Sequence, residues 1–197
     1  PQQLQGASAI VIPGSKDTIS DLKWLHETGF AEQIRKADVP VLGICGGFQM
    51  LGRRLHDPTG TAGTAGTIEG LGLLPMETEF KPDKRVKQVT ARFPDSSAEW
   101  RGYEIHMGRT SGETEPLLLA NGRNEGARSG KIWGTYVHGF FDHPESRAAF
   151  CALAGIADFE AHPVPWTETK SRLYASMADQ LETYLNLDPV FNYLEDG

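Results

Sequence analysis

The chain has 197 residues, of which 39% are hydrophobic and 23% charged, values typical of one globular domain with a sizeable core. Its formal net charge of −7, from 26 acidic and 19 basic residues, argues against nucleic acid as a main partner. No apolar run approaches the roughly 20 residues that cross a bilayer, and no signal-peptide pattern opens the chain, so we expect a cytoplasmic protein with no membrane partner.

The first predicted unit is a strand, a helical region and a second strand. Residues 9–12 are apolar and mostly β-branched, and they end at Pro13-Gly14-Ser15-Lys16, a sequence typical of a tight turn. Apolar residues at helical spacing follow, and Gly29 separates them from a second short helix. A strand that begins so close to Pro1 suggests that the sheet is N-terminally incomplete.

The second strand leads into the stretch that the fold is organised around. Residues 39–44 form a short apolar run, which predicts a buried parallel strand, and the run breaks at Cys45-Gly46-Gly47 before a helical pattern begins. A cysteine in such an elbow lies at the carboxyl end of the sheet, beside a helix N-terminus that favours the thiolate and lowers its pKa. We interpret Cys45 as a nucleophile, with a buried core cysteine as the alternative reading.

The middle of the chain predicts a loop and two strands. Residues 57–72 are rich in glycine and threonine but lack the strand and the Gly-Lys-Ser or Gly-Lys-Thr ending of a phosphate-binding loop, so we expect a mobile surface loop. Residues 71–80 and 86–93 then predict strands, the second with one solvated face.

Two further predicted strands carry ionisable residues. In the strand over residues 101–108, Glu104 and His106 are two apart and share a face, which fits either a solvated face or a functional site. The strand over residues 131–139 has His138 at its carboxyl end, where a general base for Cys45 belongs.

The last two predicted elements are helices. The first covers residues 145–154 and holds Cys151, which we interpret as core packing because it lies among apolar residues. The second is a long amphipathic helix over residues 168–185 that closes the fold through Leu173, Met177, Leu181 and Leu185. The chain is therefore predicted to be one α/β domain over residues 1–197, with a mostly parallel sheet flanked by helices.

Three predicted strand ends meet if the sheet is parallel, at Gly14, at Cys45-Gly46 and at His138. A nucleophile, a base and two sets of backbone N–H donors are the parts that acyl transfer needs. In that reaction the thiolate attacks an amide carbon, the N–H groups stabilise the oxyanion, and His138 protonates the leaving ammonia.

The chain resembles the triad-type glutamine amidotransferase domains, in the branch found in cobyric acid synthase and cobyrinic acid a,c-diamide synthase. The resemblance covers most of the chain between Ile12 and Phe141, and five segments carry it in order. They are Ile12-Pro13-Gly14-Ser15-Lys16-Asp17-Thr18, Gly43-Ile44-Cys45-Gly46-Gly47-Phe48-Gln49-Met50-Leu51-Gly52, Gly70-Leu71-Gly72-Leu73-Leu74, Gly102-Tyr103-Glu104-Ile105-His106-Met107-Gly108 and Gly134-Thr135-Tyr136-Val137-His138-Gly139. The first and fourth segments together are more similar to the cobyric acid synthase side of the branch.

The resemblance implies a class I, flavodoxin-like fold and a set of roles. Cys45 is then the glutaminase nucleophile and His138 its partner, Gly14 and Gly46 form the oxyanion hole, and Gln49 helps to bind glutamine. The ammonia passes to an ATP-dependent synthetase domain, which this chain does not contain. That domain uses ATP and magnesium to amidate carboxylates of a corrin substrate, adenosylcobyrinic acid a,c-diamide. The glutaminase domain itself is expected to need no cofactor and no metal.

Two further residues are candidates for the site: His143 as an alternative catalytic histidine and Glu104 as an orienting residue. Many triad amidotransferases carry the catalytic histidine in a His-Pro-Glu sequence, which His143-Pro144-Glu145 matches in letters. We favour His138 because it ends a strand, whereas His143 precedes a helix whose first turn would hold Pro144 and Glu145. The usual triad carboxylate is then missing, and Glu104 is the residue that could orient His138 instead.

Three other functions remain open at this point. The same fold and nucleophile serve a Cys-His hydrolase of another amide or γ-glutamyl bond. The chain is alternatively an inactive interaction module of the same family. A metal site built from Cys45, His138 and His143 is the weakest alternative, because their spacing is unlike that of zinc ligands.

Overall fold

The computed structural model describes residues 4–156, 162–189 and 192. It contains five α-helices and thirteen short strands within these residues. The strands are β1 Ile10–Ile12, β2 Val41–Ile44, β3 Arg54–Asp57, β4 Gly66–Glu69, β5 Met76–Glu79, β6 Arg85–Arg92, β7 Trp100–His106, β8 Arg109–Gly112, β9 Leu118–Ala120, β10 Arg123–Glu125, β11 Ala127–Ser129, β12 Ile132–Thr135 and β13 Val137–His138. The helices are α1 Thr18–Glu27, α2 Phe30–Lys36, α3 Gly46–Leu51, α4 Pro144–Leu153 and α5 Trp166–Tyr184.

The central sheet has the strand order β1-β2-β12-β11, with β2 parallel to both of its neighbours. β2 is apolar throughout, and its Val41 and Leu42 are fully buried. They are covered by α1, α2 and α3 and by the sheet that contains β6 and β7. The predicted α/β class is confirmed, and the first βαβ unit forms as expected. The parallel part of the fold is nevertheless limited to this sheet and to the β3–β5 pair.

The other two sheets are mostly antiparallel. One has the order β10-β9-β6-β7-β13, and the other has the order β4-β3-β5-β8. The strand predicted over residues 131–139 is in fact two strands, because β12 belongs to the central sheet and β13 to the β6–β7 sheet. The chain therefore crosses from one sheet to the other immediately before His138.

A buried carboxylate holds this crossing. Glu125 accepts hydrogen bonds from the Thr135 hydroxyl and from the Tyr136 N–H, both at 2.6 Å. The Thr135 hydroxyl in turn accepts from the Val137 N–H at 2.9 Å. Burial raises the pKa of Glu125 to about 7, although these two donors act to lower it.

Three predictions need correction here. The loop predicted over residues 57–72 contains a strand, β4, which pairs with β3, and its first part is fixed because buried Asp57 accepts hydrogen bonds from the N–H groups of Thr61 and Ala62, both at 2.7 Å. Cys151 is half-buried, and its neighbour Phe150 provides the core side chain of α4. Both cysteines are free thiols.

The third correction concerns α5, which forms where the sequence predicts a helix but does not close the described part of the fold. None of its described residues is buried, and its apolar side chains are about half exposed. The residues concerned are Trp166, Leu173, Met177 and Leu181 on the helix and Leu185 at its end. No helix among the described residues is both long and apolar enough to span a membrane.

The elbow between β2 and α3 is packed too tightly for a side chain at its second glycine. The Gly47 N–H donates to the Pro13 carbonyl at 3.1 Å. A Cβ atom on Gly47 would lie 2.0 Å from the Ile12 carbonyl oxygen, which is backbone and has little room to move. Only glycine therefore allows α3 to lie against the end of β1.

We expect Gly47→Ala to lower the free energy of unfolding by about 3 kcal/mol, because the overlap forces β1 and α3 apart. Gly130→Ala is the control: a Cβ there meets open space, and the cost is the left-handed backbone alone, about 1 kcal/mol. Urea unfolding followed by tryptophan fluorescence measures both values. Equal losses for the two variants would contradict the packing account.

The buried carboxyl of Glu125 should make the free energy of unfolding depend on pH. Its pKa of about 7 lies above the ordinary value of 4.5, so the folded state binds the proton more tightly than the unfolded state. Folding is therefore favoured at low pH, and this contribution, on the order of 3 kcal/mol, is lost as the pH rises from the ordinary pKa to the raised one.

Glu125→Gln keeps the shape and removes the titration. We expect the stability of the wild-type chain, relative to this variant, to fall between about pH 5 and about pH 8. The exposed Glu113→Gln serves as the control and should follow the wild type. A wild-type curve parallel to that of Glu125→Gln would show that this carboxyl does not titrate in the range.

Candidate functional site

Cys45 sits in a strained turn between β2 and α3. Its φ of 54° and ψ of −109° make it one of two non-glycine residues with positive φ among those described. Its N–H donates to the Thr135 carbonyl at 2.8 Å, and its carbonyl accepts from the Gln49 N–H at 3.1 Å. Strain of this kind persists only where the surroundings impose it, and it is a feature of nucleophile elbows.

Gly14 and His138 lie beside this cysteine. A Cβ placed on Gly14 would be 3.5 Å from the Cys45 Cβ and 3.5 Å from the His138 Cε1, so the glycine lies within van der Waals reach of both residues. All three line a cavity of about 520 Å³. The structure therefore brings together Gly14, Cys45 and His138, which the sequence predicts to meet.

The cavity walls come from several elements. The loop after β3 contributes Ala62, and β7 with the residues that follow it contributes Ile105 and Met107. The side chains of Lys16 and Lys84 also line the cavity and supply positive charge. The remaining lining residues are Ser15, Thr18, Gln49, Phe80 and His106.

Both reactive groups favour their neutral forms. Burial raises the pKa of the Cys45 thiol, and the Gly46 N–H that points at the sulfur only partly offsets this. Burial also lowers the pKa of His138, against a smaller opposite effect of the Ile105 carbonyl. The expectation of a lowered thiol pKa was wrong, because loss of hydration outweighs the N–H dipole of a six-residue helix.

The ring of His138 is held without a carboxylate partner. Its Nε2 is buried and has no hydrogen-bond partner among the described residues. In the antiparallel β13–β7 pair, His138 is opposite Tyr103 and Val137 is opposite Glu104. Directly opposite residues share a face, so Glu104 lies on the other face of the sheet from His138.

Glu104 is itself buried and pairs with Arg85, whose side chain is about half exposed. Its Oε2 lies 2.7 Å from Nε of Arg85 and 4.0 Å from Nε2 of His106, and only 5% of its side chain is exposed. The structure therefore does not support Glu104 as the residue that orients His138. It also rules out the solvated-face reading of Glu104 and His106, whose side chains are both buried.

Gln49 is buried and its amide is occupied on both sides. Its Nε2 donates to the Met107 carbonyl at 2.8 Å and to the Tyr136 hydroxyl at 3.2 Å, while its Oε1 accepts from the Thr18 hydroxyl at 3.3 Å. Burial raises the pKa of Tyr136 to about 12, so the phenol stays a neutral donor and acceptor. The Tyr136 ring also stacks on His106, with ring centroids 3.7 Å apart.

Sequence reasoning missed Thr18 and Tyr136, although both lie inside segments that carry the family resemblance. The Tyr136 hydroxyl is 2.5 Å from that of Thr110, which extends the network to β8. A tyrosine in a strand is usually explained by packing, so only the three-dimensional contacts identify this network.

His143 has a structural role. It is the N-cap of α4, and its Nδ1 accepts a hydrogen bond from the Glu145 N–H at 3.3 Å. Its ring stacks on Trp100, with ring centroids 5.3 Å apart. Pro144 opens the helix as the sequence predicts, and His143 does not line the cavity of Cys45. In the part of the chain that the structure describes, no group of three or more His, Cys, Asp or Glu residues is placed to hold a metal ion.

Comparison with known proteins places the chain in a family. Residues 1–146 match the family model of the CobB/CobQ-like glutamine amidotransferase domain. Cobyric acid synthase from Rhodobacter capsulatus is 44% identical over 190 residues, which covers 92% of this chain and 38% of the relative. Cobyric acid synthase from Mesorhizobium japonicum is 42% identical over 192 residues, with 94% and 38% covered. The chain thus spans little more than a third of these relatives.

A solved glutamine amidotransferase has a similar fold, with a TM-score of 0.59 at 20% sequence identity, over 78% of this chain and 82% of that one. This likeness supports the class I amidotransferase fold predicted from the sequence. The family match covers well over half of the chain, and both curated relatives exceed 40% identity over nearly all of it. The chain belongs to the CobB/CobQ-like family of glutamine amidotransferase domains.

Proposed function

We propose that this chain is the glutamine-hydrolysing part of a cobyric acid synthase, in which Cys45 is the nucleophile and His138 is the general base and acid. The observation that carries the proposal is the strained Cys45 elbow within contact distance of Gly14, which in turn contacts the His138 ring, at the wall of one cavity. The names of the curated relatives support the choice of enzyme.

The reaction begins from the neutral pair. His138 has a lowered pKa and is therefore an unprotonated imidazole at neutral pH, able to take the thiol proton of Cys45 once the thiol turns away from the Ile105 carbonyl. The sulfur attacks the side-chain amide carbon of glutamine, and the proton held by His138 passes to the leaving nitrogen. The C–N bond breaks, ammonia leaves, and a γ-glutamyl thioester remains on Cys45.

The same histidine completes the cycle. His138 takes a proton from water, the resulting hydroxide attacks the thioester carbon, and the C–S bond breaks. The proton returns to the sulfur and glutamate leaves. The products are one glutamate and one ammonia for each glutamine and water consumed.

Backbone N–H groups stabilise the oxyanion of both tetrahedral intermediates. Gly46 is the first residue of α3, where an N–H has no partner within the helix, and it directly follows Cys45 in the chain. Gly14 supplies the second donor from the turn after β1. Loss of one such donor typically costs about a hundredfold to a thousandfold in rate.

The cavity offers positive charge for the α-carboxylate of glutamine. Lys16 and Lys84 place positive charge at its wall for the α-carboxylate. Gln49 helps to bind glutamine chiefly by positioning, because its amide already holds Thr18 and Met107. Ala62, whose N–H donates to buried Asp57 and whose carbonyl accepts from the Ile19 N–H of α1, forms part of the cavity wall.

The ammonia is used by the part of the full-length protein that this chain does not include. That part binds ATP and magnesium and amidates the carboxylates of a corrin substrate. The support is that the curated cobyric acid synthases extend well beyond the region they share with this chain. The shared region is only 38% of their length.

The nucleophile and the base are tested by replacement in the full-length protein. We expect Cys45→Ser to lower glutamine-driven amidation by at least about a thousandfold, and His138→Asn by about a hundredfold to ten-thousandfold. Amidation with ammonium salts should stay at the wild-type rate in both variants, because the synthetase site is intact. The control is Cys151→Ser, which should behave as the wild type with both nitrogen sources. Equal losses with glutamine and ammonium would overturn the assignment.

The pKa shifts of Cys45 and His138 lead to a separate prediction on pH dependence. The thiolate absorbance of Cys45, identified by its absence in Cys45→Ser, should appear only above pH 9.0, the ordinary thiol pKa. Burial disfavours the charged form of this thiol. Glutamine hydrolysis should fall on the acid side with a midpoint below 6.5, as His138 becomes protonated. Cys151→Ser serves as the control for the second thiol. A Cys45 thiolate already present at neutral pH would show an ion pair and contradict the account.

A further inference from the structure

His138 needs a positioning partner that the triad pattern does not provide. Glu104 lies on the opposite face of the sheet and pairs with Arg85. β13, which carries His138, has only two residues, so its backbone alone gives little support to the ring. An imidazole that exchanges protons with a thiol and with ammonia must keep one orientation, because a misplaced base loses most of its effect.

The ring that lies against His138 is that of Tyr103. The two ring centroids are 4.8 Å apart and the planes differ by 5°, which is an offset stack. The two residues are directly opposite in the β7–β13 pair, so the stack follows from the register. The pair is close because Gly102 has no side chain: a Cβ there would lie 2.7 Å from the His138 carbonyl oxygen.

β7 supplies a second contact from the same face. Tyr103 and Ile105 are two apart, so they lie on one side of the strand. The Cys45 sulfur donates to the Ile105 carbonyl at 3.4 Å. One strand thus holds the thiol by a backbone oxygen and the imidazole by an aromatic face.

We infer that Tyr103 is a positioning residue for the reaction, in which its ring does the work that the carboxylate does in a Cys-His-Glu triad. This inference rests on the proposed glutaminase function. The stack fixes the plane of the imidazole, and the ring face stabilises the imidazolium that forms when His138 takes the thiol proton. Tyr103 touches neither the reacting sulfur nor the cavity.

The exposure of Tyr103 supports a functional reason for its presence. About half of the side chain, 49%, is accessible to solvent, and it is not among the buried residues of the core. The contact that explains this exposed ring is therefore its stack on His138. A leucine fills a similar space but offers no flat electron-rich surface.

The test compares Tyr103→Leu with Tyr103→Phe. For glutamine hydrolysis by the full-length protein, we expect the leucine variant to lose about tenfold in kcat with an unchanged KM, because the ring acts on the base and not on glutamine. Phenylalanine keeps the stack and should rescue kcat to within about twofold. Tyr184→Leu makes the same chemical change at an exposed tyrosine of α5 and should leave both constants unchanged.

A second measurement does not depend on glutamine turnover. The rate of Cys45 alkylation by iodoacetamide at neutral pH, read by peptide mapping with Cys151 as the internal reference, should fall about tenfold in Tyr103→Leu and recover in Tyr103→Phe. Wild-type kinetics and alkylation in the leucine variant would overturn the role of Tyr103 and leave the glutaminase intact. A wild-type protein that alkylates at Cys45 but does not hydrolyse glutamine would instead refute the proposed function, and the alkylation rates would still decide the role of Tyr103.

Discussion

The close contact between the start of α3 and the end of β1 is the constraint on which the site depends. With no side chain on Gly47, its N–H reaches the Pro13 carbonyl, and the chain must turn sharply enough to leave Cys45 with a positive φ. The same approach brings the turn at Gly14 against the cysteine. The proposed nucleophile and oxyanion donors are thus placed by backbone packing, and side chains are needed only for the proposed base and the cavity walls.

The proposed base, His138, comes from a different sheet, and this explains the electrostatics of the site. β12 ends beside Cys45 in the central sheet, and β13 then pairs with β7, which puts His138 over the elbow. Partial burial at the junction of the two sheets makes both the thiol and the imidazole favour their neutral forms.

Much of the site could be predicted from sequence because it is local. The order of strand, cysteine, two glycines and helix specifies an elbow around Cys45, and a strand that ends in histidine specifies the position of His138. The partners of Glu104 could not be predicted, since a shift of one residue in strand register reverses its face. Burial of the thiol, the contacts of α5 and the network around Tyr136 likewise depend on which sheets meet, and apolar periodicity does not contain that information.

The central claim is that glutamine is cleaved through a covalent bond to Cys45. The most direct measurement is mass spectrometry of peptides from the full-length protein after rapid acid quenching during glutamine turnover. The account predicts a γ-glutamyl group on the peptide that contains Cys45, formed together with one ammonia and absent in Cys45→Ser. Ammonia released in the normal amount with no adduct on that peptide, or with an adduct on Cys151, would contradict it.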